Sequence, residues 1–104
     1  MSMHWEASDE WWDNHNDDQL YRIVLSAPGL TEARWAEMAA DSLVEDGCIL
    51  FGGAYLKRVG AQEVEAVSGG QDAFDSLEYA INDVLLGACP KARVLREEKL
   101  SDPA

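Results

Sequence analysis

Apolar and polar positions alternate along the chain in two rhythms, one close to every second residue and one at spacings of three and four. From Tyr21 to Leu25 most residues are aromatic or β-branched, and the run stops before Pro28-Gly29, which predicts a first strand ending in a turn. Thr31 then stands at an N-cap position before Glu32. Trp35, Met38, Ala39, Ser42 and Leu43 fall on one helical face ahead of Gly47, which predicts a helix over residues 32–45. Cys48 to Phe51 is a short apolar run, broken by Gly52-Gly53 and resumed from Tyr55 to Val59, and it reads as one bulged strand or two short pieces.

Glu63 to Val67 alternate polar and apolar until Ser68-Gly69-Gly70, the pattern of a strand with one wet face. Asp72 opens a second helix in which Phe74, Leu77, Ile81, Val84, Leu85 and Ala88 repeat at helical spacing before Gly87 and Pro90 end it. Lys91 to Glu98 offers Ala92, Val94 and Arg96 on one side and Arg93, Leu95 and Glu97 on the other, as a fourth, edge strand would. The order strand, helix, strand, strand, helix, strand predicts an α+β fold of the ferredoxin-like βαββαβ kind. That fold is a four-stranded antiparallel sheet with two helices on one face. Alternation then sends Tyr21, Ile23 and Leu25 toward the helices and leaves Arg22, Val24, Glu63 and Glu65 on the open face.

A length of 104 residues suits one core. With 47% apolar and 27% charged residues the chain has the balance of a folded protein. Residues 1–19 read as a separate arm and residues 20–100 as a single domain that folds without it. No apolar run approaches the roughly 20 residues that cross a bilayer, and the first nineteen residues lack the basic start of a secretory signal, so a cytoplasmic site is expected. Cys48 and Cys89 form no CxxC pair and read as buried free thiols.

Charge adds more to the picture. Twenty acidic against eight basic residues give a formal charge of −12, which repels phosphate backbones and anionic membranes, so neither direct nucleic-acid binding nor membrane binding is expected. The arm alone carries Glu6, Asp9, Glu10, Asp13, Asp17 and Asp18 with no Lys or Arg, and interleaves them with Trp5, Trp11 and Trp12. Either these tryptophans dock on the sheet of their own domain, or they anchor a basic partner while the carboxylates steer it in. On the second reading the partner-binding residues are Trp5, Asp9, Glu10, Trp11, Trp12, Asp13, Asp17 and Asp18. Lys91, Arg93, Arg96 and Lys99 gather half of the basic residues near the C-terminus. They protect an edge strand, or receive the acidic arm from the same chain or from a second copy, in which case arm exchange makes a homodimer.

No spacing here supports catalysis, a metal or a cofactor. His4 and His15 stand eleven residues apart without cysteines, and Asp9, Asp13, Asp17 and Asp18 match no cation-binding loop. Glu63 and Glu65 fit a solvated strand face, and Gly52-Gly53 and Gly69-Gly70 lack phosphate-loop spacing. An RNA-recognition sheet would need exposed aromatics and positive charge where Arg22, Val24, Glu63 and Glu65 stand. The class expected from what remains is a small acidic inhibitor or adaptor that binds a basic protein, one that itself handles nucleic acid. In charge and size the chain is similar to phage-encoded inhibitors, anti-CRISPR proteins among them, and to bacterial immunity proteins that neutralise a toxin.

A second class rests on a resemblance. Ser26-Ala27-Pro28-Gly29-Leu30, a helix, and Asp46-Gly47-Cys48-Ile49 resemble the start of ACT-type regulatory domains, over less than a third of the chain. That resemblance implies a small ligand such as an amino acid near Pro28 and Gly29. A subunit of a larger complex, or an enzyme using the open sheet face or an internal cavity, are the other classes.

Overall fold

A computed structural model describes residues 3–14, 19–40, 42–69 and 73–100. In chain order the elements are α1 (Asp9–Asp13), β1 (Leu20–Ser26), α2 (Glu32–Ala39), β2 (Leu43–Glu45), β3 (Cys48–Phe51), β4 (Ala54–Gly60) and β5 (Glu63–Ser68). They are followed by a longer helix α3 and by β6 (Arg93–Leu100). Helix α3 starts as Ala73–Glu78, runs through a π-helical stretch Tyr79–Leu85 and ends with one α turn Leu86–Ala88. The strands form one antiparallel sheet of six, in the order β2-β3-β4-β5-β1-β6.

This corrects the four-stranded, two-helix ferredoxin-like expectation, and local turn chemistry explains the difference. The helix that opens at Thr31, whose hydroxyl accepts the Arg34 N–H, ends at Ala39 and not near residue 45. Beyond it Asp46 and Gly47 both have positive φ, 52° and 78°, as a two-residue hairpin of the I′ type requires. Asp-Gly therefore folds Leu43–Glu45 back onto Cys48–Phe51 as a hairpin, where helical periodicity had assigned Leu43 to α2 and Gly47 to its cap. Gly52, with φ 61°, turns the chain again into β4, so of the two expected readings of this stretch the two short pieces form, paired as a second hairpin. The third helix, α1, lies in the arm, where Ser8 caps it by accepting the Trp11 N–H.

One core lies between the sheet and the helices. Tyr21, Ile23 and Leu25 of β1, Val64 and Ala66 of β5, Leu56 of β4 and Ile49 of β3 meet Phe74, Leu77, Ile81 and Leu85 of α3. The π stretch has a packing reason. Buried Ala80 and Leu85, and buried Ile81 and Leu86, are each five residues apart, a spacing that the wider i→i+5 turn keeps on one face. The bond from Leu86 N–H to Ile81 O is of that kind.

Helix α3 packs most closely over β4 and β5, and the arm adds cover over the Tyr21 end of β1 and over β6. Trp5 and Trp11 are 3% and 7% exposed. Trp11 lies 4.7 Å from the Tyr21 ring and 6.0 Å from Phe74, and Tyr21 stands edge-on to Phe74 at 4.8 Å. The arm backbone is clamped by Asn82 in the π stretch: Trp5 N–H donates to its Oδ1 (2.7 Å) and its Nδ2 donates to Trp5 O (2.9 Å). The Trp5 indole donates to Glu97 Oε1 on β6 at 2.8 Å. Arm and domain thus share one core.

Trp5→Ala is expected to lower the unfolding free energy by about 3–5 kcal/mol, the usual cost of emptying a buried aromatic site. Asn82→Ala, which leaves a backbone donor and acceptor of Trp5 without partners, is expected to cost about 1–3 kcal/mol. Trp12→Ala, at a half-exposed ring, is expected to cost less than either. Urea denaturation followed by circular dichroism measures all three, and equal midpoints for Trp5→Ala and the parent chain would remove the arm from the core.

Candidate functional site

The arm runs along α3, with Trp5 held at Asn82 and Trp11 and Trp12 against Phe74. Its packing turns the apolar side of α1 inward and leaves Asp9, Glu10 and Asp13 exposed. The adjoining outer side of α3 contributes Asp75, Glu78 and Asp83. Residues 1–21 and 59–90 contain neither Lys nor Arg, so this whole surface is formed by segments without a cation. Between arm and helix lies an open hollow of about 280 Å³ lined by His4, Asp75, Glu78, Tyr79, Asn82 and Asp83. His4 stands 3.5 Å from Glu6 at its rim.

Two aromatic rings interrupt the acidic surface. Trp12 is 50% exposed, edge-on to Phe74 at 4.6 Å, and Tyr79 is 53% exposed, edge-on to Phe51 of β3 at 5.8 Å. Their fixed ring contacts leave one side of each to solvent. Such half-buried aromatics set among charges have the composition of a protein-contact surface.

The expected partner-binding residues therefore separate. Asp9, Glu10, Trp12 and Asp13 are on the surface, while Trp5 and Trp11 are in the core. Asp17 and Asp18, like His15, lie outside the described residues. Asp75, Glu78, Tyr79 and Asp83 were missed by sequence reasoning, because on a helix with an apolar stripe they read as ordinary solvated positions. The only signal that joins them to the arm is the shared lack of Lys and Arg. Among the described residues no group of three or more His, Cys, Asp or Glu side chains is placed to hold a metal ion.

The far side of the sheet is different in charge. By strand alternation it carries Arg22, Lys57, Arg93 and Arg96 together with Glu45, Glu63, Glu65 and Glu98. Arg22 lies between two carboxylates, its Nε 2.7 Å from Glu65 and its Nη1 2.8 Å from Glu98, and Arg96 reaches Glu98 at 4.0 Å. The hydrogen bond to Glu65 holds the Arg22 guanidinium above its ordinary pKa against the opposing effect of burial. Val24, beneath these side chains, is fully buried although no helix covers it. Burial pushes the Tyr55 phenol up, and the Glu65 carboxylate adds to the effect.

Another hollow, of about 180 Å³, lies at the turn after β1 and is lined by Pro28, Gly29, Arg34, Cys89 and Lys91, among others. Arg34 crosses there to cap α3, donating to Ala88 O at 2.8 Å. Burial raises the Cys89 thiol pKa.

No helix among the described residues is long and apolar enough to cross a membrane. In comparisons with known proteins the chain matches no protein-family model and no curated sequence.

Arg22→Leu leaves Glu65 and Glu98 facing one another without their cation, and is expected to cost about 1–2 kcal/mol, a figure kept low because all three side chains retain some solvent. The raised Tyr55 pKa gives a second expectation. A group whose folded pKa lies above its unfolded value contributes stability that is complete below the ordinary value of 10.0 and is lost as pH rises through the folded value. Urea midpoints taken through that alkaline range should fall more steeply for the parent chain than for Tyr55→Phe, and parallel curves would contradict the burial of this phenol.

Proposed function

We propose that the protein binds a basic protein through the acidic surface formed by the arm and α3, acting as an inhibitor or adaptor. The supporting observation is that these two segments place Asp9, Glu10, Asp13, Asp75, Glu78 and Asp83 on one side of the molecule, with half-exposed Trp12 and Tyr79 among them. The carboxylates steer a cationic partner and raise its rate of encounter, while the two rings supply desolvated contact area. The π-helical stretch carries Tyr79 and Asp83, and stretches of this kind recur at functional sites. A surface of this charge competes with phosphate backbones, so the fitting partner is a protein whose basic groove holds nucleic acid, a nuclease included. The site of action is taken to be the cytoplasm.

A small-ligand reading has one observation in its favour, the hollow at Pro28 and Gly29 with Arg34 and Lys91 beside it. Two cations at the rim suit a carboxylate, as an amino acid would present.

Immobilised full-length chain is expected to retain a basic protein at low salt and release it at high salt. The triple variant Asp75→Asn/Glu78→Gln/Asp83→Asn should lose that retention, and Trp12→Ala should weaken it about tenfold, the usual effect of truncating a contact aromatic. Added nucleic acid should displace the chain. Retention that is indifferent to salt and to these substitutions would refute the proposal. For the small-ligand reading, an amino acid should raise the melting temperature of the parent chain and not that of Arg34→Ala, and no rise with any amino acid would remove it.

A further inference from the structure

The sheet face opposite the helices has a continuous apolar row, exposed at its β2 end, half-buried through β3 and β4 and buried at β5. Cross-strand register places Leu43 of β2 beside Leu50 of β3, Leu50 beside Tyr55 of β4, and Tyr55 beside Val67 of β5. Leu43 is 76% exposed. Next to this row a hollow of about 230 Å³ is walled by Leu50, Tyr55, Val67 and Leu20 and floored by glycines. A Cβ on Gly69 would stand 2.6 Å from Leu20 Cδ2, so the glycine is what lets Leu20 lie down against this face. The row ends in the Arg22–Glu98 pair, and the next row reads Glu45, Cys48, Lys57, Glu65, Val24, Arg96.

We infer that this face is the contact surface for a second copy of the chain, giving a dimer in which two sheets stack and the acidic arm–α3 surfaces face outward on both sides. Charge selects the occupant. Two chains of formal charge −12 repel wherever acid meets acid. The open sheet face, with four cations and four carboxylates among the described residues, carries no net charge of its own, in contrast to the acidic arm–α3 side. Like copies can therefore approach there without that penalty, and the Leu43–Leu50–Tyr55–Val67 row supplies the apolar centre that an isologous contact needs. The area is sufficient. The molecule extends 37 × 31 × 21 Å, so its broad side can provide the about 800 Å² per partner of a standard interface. This contact differs from an exchange of arms, since the arm lies on the opposite side of the sheet, and it does not depend on the binding proposed above.

Sedimentation velocity of the full chain, without any partner, tests the inference across the micromolar range. The expected result is twice the chain mass, retained at high salt because the centre of the contact is apolar. Leu43→Lys, at a position too exposed to affect folding, should shift the equilibrium toward the monomer, and Leu43→Lys/Leu50→Lys should give the monomer alone with an unchanged circular dichroism spectrum. Deep arm substitutions are not needed for the test. A parent chain that sediments as a monomer throughout, or a dimer that both variants leave intact, would overturn it.

Discussion

The fold depends on the burial of Trp5 and Trp11. A sheet of six strands has more inner surface than one helix can cover, and α3 packs mainly over β4 and β5, meeting β1 less extensively and leaving room over β1 and β6. The arm closes them with two large rings, and the Asn82 amide holds its backbone as a neighbouring strand would, through one donor and one acceptor. Aromatic rings bring large buried area with few rotatable bonds, which suits a short segment with only five residues of regular structure. Without that clamp Tyr21 and Phe74, at the centre of the aromatic cluster, would lose their cover on one side.

The same packing creates the surface. Once the tryptophans point inward, the carboxylates between them must point outward, and they join those of α3 because the arm lies along that helix. Structure and charge are therefore set by one arrangement. A chain with so much negative charge pays for it in self-repulsion, and the pairing of charges on the sheet face opposite the acids offsets part of that cost. Arg22 between Glu65 and Glu98 is the clearest case of such pairing.

Much of this was legible in the sequence where local rules are strong. The alternation in β1 and β5, the Thr31 cap and the apolar stripe of α3 each follow from residue spacing, and each element forms. The Asp46-Gly47 hairpin was legible too, as an Asp-Gly pair between the apolar Leu43-Val44 and the run from Cys48 to Phe51, but helical periodicity through Leu43 competed with it and the tight turn won. One extra strand, β2, comes from that contest, and the other from the Gly52 turn that divides β3 from β4. The arm was ambiguous for a different reason: tryptophans with no period fit a docked segment and a partner anchor equally, and only the placement of Asn82 and Glu97, far away in sequence, decides for Trp5. Nor could spacing join Asp75, Glu78 and Asp83 to the arm, since that neighbourhood is made by tertiary packing alone.

Because the arm's docking fixes both the core and the outward acids, hydrogen exchange at Trp5 tests the account most directly. Its backbone N–H donates to Asn82 and its indole N–H to Glu97, so both should exchange as slowly as the β1 amides. Exchange of both at the rate of an unstructured segment, while β1 stays protected, would show an arm detached from the domain and would contradict the surface built on it.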